Sequence, residues 1–141
     1  MAVAAIAGIT SRAKKTMALI LIVEDAQVTR RMIGKILLAA GHTLLEASNG
    51  REGLEIALER HPDCIFLDLL MPELEGQEVL KELQARNVAI PAIVLSGDIQ
   101  ETTRQQCLDL GAIAFLNKPP KAGEINSAIQ KALNSRLESN L

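Results

Sequence analysis

The apolar run Leu19-Ile20-Leu21-Ile22-Val23 passes straight into Glu24 and Asp25. Adjacent carboxylates repel each other, so a pair at the end of such a run calls for a compensating cation. Three more polar residues stand in comparable places: Asp68 after Cys64-Ile65-Phe66-Leu67, Ser96 after Ala92-Ile93-Val94-Leu95, and Lys118 shortly after Ala112-Ile113-Ala114-Phe115-Leu116. Asp68 is the most telling, because "CIFLDLLMP" is apolar on both sides of it and an uncompensated buried charge is costly. Three carboxylates fit a hard divalent cation, and Mg²⁺ is usually held by one or two carboxylates together with waters and phosphate oxygens. Aspartate can also act as a nucleophile and form an aspartyl-phosphate. Lys118 would neutralise phosphoryl oxygens as a point charge, the Ser96 hydroxyl would donate a hydrogen bond to one of them, and Gly97 leaves space for a phosphodonor. Phosphoryl transfer asks mainly for positioning and charge neutralisation, and these groups supply both. Singly, each has a plainer explanation: Asp25 as a helix cap, Ser96-Gly97 as a turn, Lys118 as a solvated loop residue.

The elements that must position these groups can be read from periodicity. Apolar runs of strand length recur at 18–23, 42–47, 64–69, 92–96 and 112–116. In "VTRRMIGKILLAA", Val28, Met32, Ile33, Ile36, Leu37 and Ala40 form one helical stripe, which Gly41 stops. "REGLEIALER" ends at His61-Pro62, and "GQEVLKELQARN" and "ETTRQQCLDLG" fill the next two gaps. "AGEINSAIQKALNS" puts Ile125, Ala128, Ile129, Ala132 and Leu133 on one face and predicts a last helix ending near Ser135. Strands alternating with helices imply an α/β fold whose parallel sheet is covered on both faces. The lack of polar alternation in 18–23 and 92–95 agrees with two-sided burial. Ligands of such sheets gather beyond the carboxyl ends of the strands, where strand order reverses. A flavodoxin-like, doubly wound five-stranded sheet of order 2-1-3-4-5 would bring Glu24, Asp25, Asp68, Ser96 and Lys118 to one crevice.

Composition narrows the function. The 141 residues fit one domain, and 15 basic against 17 acidic residues, net −2, argue against a nucleic-acid module. Hydrophobic content is 48% with two Phe, so Leu, Ile, Val and Ala build the core. Cys64 and Cys107 have no ligand-like spacing, which favours neither a disulfide nor a metal site and suits a reducing cytoplasm. In "MAVAAIAGITSRAKK" the positive charges follow the apolar run, the reverse of a signal peptide. The run is also far shorter than the roughly 20 apolar residues a membrane span needs. Residues 1–17 are expected to be a disordered extension.

"VED" (23–25), "LDLLMPELEG" (67–76), "LSGD" (95–98) and "FLNKPP" (115–120), in this order and spacing, resemble the receiver domain of two-component response regulators, specifically the stand-alone, chemotaxis-type (CheY-like) members. The resemblance covers residues 18–137. It implies that Asp68 accepts a phosphoryl group from a phosphohistidine on a sensor histidine kinase or phosphotransfer protein. It also implies that Asp25, Asp68 and the backbone carbonyl of Leu70 bind Mg²⁺ directly, with Glu24 acting through a water. On phosphorylation Ser96 would move toward the phosphoryl group and Phe115 would swing inward; Lys118-Pro119 would be cis, and Pro72 and Gly76 would shape the loop after the third strand. Leu70 and Asp98 would flank the path of hydrolytic water. The implied activity is a slowly self-hydrolysing switch and not a turnover enzyme.

No output domain is expected after residue 137, so output would be contact with a downstream target, such as an aspartyl-phosphatase. The face would be that of the fourth helix, fifth strand and fifth helix, including Gln105, Gln106, Lys121 and Gln130, in a monomer or weak homodimer. Arg30, Arg31 and Lys35 would face a kinase. Two alternatives stand beside this reading. A phosphatase of the haloacid dehalogenase type needs an acid two residues after its nucleophile, where Leu70 stands. A pseudo-receiver would dock partners without being phosphorylated.

Overall fold

The computed structural model describes residues 17–71, 73–97 and 100–139, the last four of these as backbone only. The expected disorder of the N-terminal extension thus falls, Met17 aside, outside the described residues, as do Pro72 and Asp98. Ten elements alternate: β1 (Leu19–Val23), α1 (Gln27–Ala39), β2 (Thr43–Ala47), α2 (Gly50–Arg60), β3 (Cys64–Asp68), α3 (Gly76–Ala85), β4 (Ala92–Ser96), α4 (Glu101–Asp109), β5 (Ala112–Asn117) and α5 (Ala122–Ser139). The strands form one parallel sheet of order β2-β1-β3-β4-β5, the order the sequence implied.

The central strands are apolar at nearly every position because successive side chains enter different cores. Leu21, Val23, Ile65, Leu67 and Val94 pack under α2, α3 and α4 with Val79, Leu80, Leu83 and Cys107. Ile20, Ile22, Phe66, Ile93 and Leu95 pack under α1 and α5 with Ile33, Leu37, Ile125, Ile129 and Ala132. Each fully buried Leu, Ile or Phe contributes about 1.5–3 kcal/mol, so the three inner strands are the rigid support of everything at their ends.

Two side chains from the connections close the amino end of β1. The buried His42 Nδ1 accepts from the Ala18 N–H at 3.2 Å, and an Asp63 oxygen accepts from the Leu19 N–H at 2.8 Å. Strand β2 accordingly starts at Thr43, one residue later than the apolar run suggested. At the other end of the sheet the expected stripe of α1 fails at its first member. Val28 is 82% exposed: with 3.6 residues per turn it stands roughly 140° round the helix from Ile33 and roughly 180° from Leu37, away from the buried face. Ile33 and Leu37 are buried, and Gly41 takes the expected left-handed conformation, φ 94°, after the helix. Helix α5 also runs on through Ser139, past the stop expected near Ser135; its predicted apolar face, Ile125 to Leu133, is buried as a unit.

Candidate functional site

The carboxyl ends of β1 and β3 and the segment after β5 deliver the polar residues to one place. Glu24 follows β1 directly; its N–H donates to the Ala47 carbonyl at 3.0 Å, which extends the β1–β2 pairing by one bond. Glu24 is fully buried, whereas Asp25, the next residue, is exposed. Asp68 ends β3 and is 4% exposed. Lys118 follows β5, tied to β4 by its N–H donating to the Ser96 carbonyl at 2.9 Å, and the Lys118–Pro119 bond is cis.

The cation that the paired acids required is Lys118. Its Nζ donates to Glu24 Oε1 at 2.9 Å and Oε2 at 3.2 Å, and lies 3.1 Å from Asp68 Oδ2. The lysine expected to meet phosphoryl oxygens is thus engaged with two carboxylates. Burial, then a hydrogen bond with Asp68, push the Glu24 carboxyl up to about 7 against the opposing pull of Lys118. For Lys118, burial acts to lower the ammonium, but its bonds to Glu24 and Asp68 outweigh this and raise it. Lys118 therefore stays charged, and Glu24 holds its proton more firmly than an exposed carboxylate.

Glu24, Asp25 and Asp68 each offer a carboxylate oxygen, all within 4.8 Å of one another. This all-oxygen, anionic donor set with one exposed member fits a hard cation such as Mg²⁺ and offers nothing to a soft one. Leu70, two residues after Asp68, exposes its side chain by 72%. Ser96 is 2% exposed at the end of β4 and lines a cavity of about 140 Å³ with Leu69, Leu70, Glu75, Gln77 and Thr103. Phe115 is half-buried, opposite Val94 in the β4–β5 register, and packs against the core that holds Cys107.

Gly76 explains how the loop after β3 closes so tightly behind Asp68. Its N–H donates to the Leu69 carbonyl at 3.0 Å, and a Cβ there would lie 2.4 Å from the Asp68 carbonyl oxygen. Gly97, by contrast, has nothing among the described residues within 4 Å of an added Cβ.

Some assignments change. Asp25 does not cap α1: the N-cap is Ala26, with no side-chain bond. Arg30, expected on a partner-facing surface, is instead 18% exposed; Nη1 donates to the Glu24 carbonyl at 2.7 Å and Nε lies 3.3 Å from Glu46. The sequence clue was an arginine in the first turn after the acids, easily passed over because helix surfaces are charged by default. Arg31 and Lys35 remain exposed. Gln106 accepts from Gln77 at 3.3 Å, joining α3 to α4, and Gln105 donates to Asp109 at 2.8 Å.

Residues 20–130 match the family model of the response regulator receiver domain. The chain belongs to that family. Among curated relatives, it is 39% identical over 114 residues to the KDP operon transcriptional regulatory protein KdpE of Escherichia coli, covering 81% of this chain and 50% of the relative. It is 37% identical over 123 residues to a protein-glutamate methylesterase/protein-glutamine glutaminase of Treponema denticola, covering 84% of this chain and 33% of the relative. The receiver therefore spans half or less of these longer proteins. Among solved structures, the chemotaxis response regulator CheY4 of Vibrio cholerae aligns with a TM-score of 0.77 at 29% identity, covering 84% of this chain and all of that one. A receiver domain from Clostridium thermocellum aligns at 0.81 and 29%, covering 86% and 98%. Among the described residues no helix is long and apolar enough to cross a membrane.

Proposed function

We propose that this receiver is a phosphorylation switch with Asp68 as its phosphoacceptor. The observation that carries the reading is the single Lys118 ammonium lying 3.1 Å from Asp68 and 2.9 Å from the buried Glu24. An Asp68 oxygen forms a bond to phosphorus as the P–N bond of a phosphohistidine breaks, and the departing imidazole keeps the electron pair and takes up a proton. As negative charge moves from Asp68 onto the phosphoryl oxygens, Lys118 follows it, already in place and already charged. Asp25, Asp68 and the Leu70 carbonyl would hold Mg²⁺, with Glu24 acting through a water; the cation supplies charge neutralisation to the transferring group.

Ser96 beside the 140 Å³ cavity has room for its hydroxyl to shift toward the phosphoryl group. Phe115, only half-buried, then turns inward and alters the surface of α4, β5 and α5. That surface would contact a downstream protein, or a second copy in a weak dimer, in a two-component pathway of the cytoplasm fed by a histidine kinase. Output carried by the receiver itself would be this contact and not substrate turnover.

The test is intact mass after incubation with acetyl phosphate and Mg²⁺, on the wild type and Asp68→Asn. A labile gain of about 80 Da in the wild type, the mass of one phosphoryl group on an aspartate, absent in Asp68→Asn and with EDTA, is the expected result. No gain in the wild type would refute the phosphoacceptor role and leave a docking module.

A further inference from the structure

Glu24 and Asp25 are adjacent, yet one is fully buried and the other exposed. Their oxygens nonetheless lie within 4.8 Å of each other and of an Asp68 oxygen. Lys118 fixes the Glu24 side chain, but the backbone that carries Asp25 needs a restraint of its own. The regular β1–β2 pairing ends at Val23, and only the Glu24 N–H continues it, to Ala47. Helix α1 offers no help: its N-cap Ala26 makes no side-chain bond and its first turn has no acid.

The Glu24 carbonyl belongs to the peptide leading into Asp25, and Arg30 Nη1 donates to it at 2.7 Å. The same guanidinium meets Glu46 at 3.3 Å, on β2, one residue before the Ala47 that accepts from Glu24. The Glu24 residue is thus held on both sides, at its N–H by β2 and at its C=O by a cation itself tied to β2. A planar guanidinium can make both bonds at a fixed angle, whereas an ammonium offers charge without that fork.

We infer that Arg30 is a positioning residue, which locks the Glu24–Asp25 peptide so that Asp25 stays within ligand distance of Glu24 and Asp68. This rests on the reading of the three carboxylates as a divalent-cation site. Groups that orient a metal ligand typically carry about 10–100-fold in metal affinity.

The experiment is a titration of the full chain with Mn²⁺, free ion followed by electron paramagnetic resonance, with no phosphodonor. Wild type, Arg30→Ala, Arg30→Lys and Glu46→Gln are compared, and urea midpoints are taken on the metal-free proteins. Arg30→Ala is expected to bind Mn²⁺ about tenfold more weakly or worse, Arg30→Lys to recover part of the loss, and Glu46→Gln, which keeps an oxygen for the guanidinium, to lose less than Arg30→Ala. Amide exchange at Asp25 and Ala26 in the metal-free protein should quicken in Arg30→Ala, a local effect that general destabilisation would not confine to the turn. Should Arg30→Ala not fold, Arg30→Gln takes its place with the same expectation. A folded Arg30→Ala or Arg30→Gln binding within about twofold of wild type overturns the inference alone. A wild type that does not bind Mn²⁺ overturns the reading of the acid cluster and the inference with it.

Discussion

Glu24 is the residue whose chemistry depends most on where the fold puts it. Its carboxyl, pushed up to about 7 by burial, takes up protons in the folded state that the unfolded chain, at about 4.5, releases. The folded protein therefore binds more protons between these values, and in metal-free protein the Glu24 contribution makes stability fall as pH rises through that window. Glu24→Gln removes this titration while keeping an oxygen for Lys118. Urea midpoints in EDTA should shift in favour of Glu24→Gln on going from pH 5 to pH 8; a difference that does not change with pH would show that Glu24 titrates normally. Site residues were legible in the sequence as acids, a hydroxyl and an amine at strand ends. Which groups pair was not legible, because Glu24 meets Lys118 only after strand order has been fixed. Arg30 escaped because its target is a backbone carbonyl, which has no residue identity to read.

Among the elements, the strands were readable because feeding two cores keeps β1, β3 and β4 apolar up to the Asp68 and Ser96 that end the latter two. The buried face of α1 was not: its apolar residues spread over about half the helix circumference, and burial falls on Ile33 and Leu37, opposite Val28. The β3–α3 junction illustrates how an element start can set the site. Adding a methyl at Gly76 would place it 2.4 Å from the Asp68 carbonyl oxygen, so α3 or the Asp68 backbone must move. Gly76→Ala should cost about 1–3 kcal/mol in urea unfolding and reduce phosphoryl uptake at Asp68, whereas Gly97→Ala, with open space around it, should change stability by no more than about 0.5 kcal/mol. At the opposite end of the sheet, burial holds the His42 imidazole below its ordinary value while Nδ1 accepts from Ala18. The unfolded state then binds more protons below pH 6.5, and the His42 contribution to stability is lost as pH falls through that range. His42→Asn, whose side-chain oxygen can accept without titrating, should show a flatter decline in thermal midpoint between pH 7 and pH 5 (roughly the range of an unperturbed imidazole).

For the whole molecule, the acid cluster couples a surface event to global stability. A cation bound by the folded chain and not by the unfolded one stabilises by mass action, by about 2.7 kcal/mol at a hundredfold excess over Kd. Mg²⁺ should therefore raise the urea midpoint of the wild type, and EDTA should reverse the rise. In Asp68→Asn the increment should shrink, since one of the three clustered carboxylates is gone. An equal rise in both proteins would indicate general salt effects.

The pair that compensates the buried acid joins residues 94 positions apart in the chain. A protein synthesised from its N-terminus exposes its early elements first, so Glu24 leaves the ribosome long before Lys118 does. Until then the strand that carries it has a carboxylate to bury and no ammonium to meet it. The charge that seats Glu24 thus arrives only after β5 has been made: a chain that ends before Lys118 has no ammonium at that place to set against its first acid.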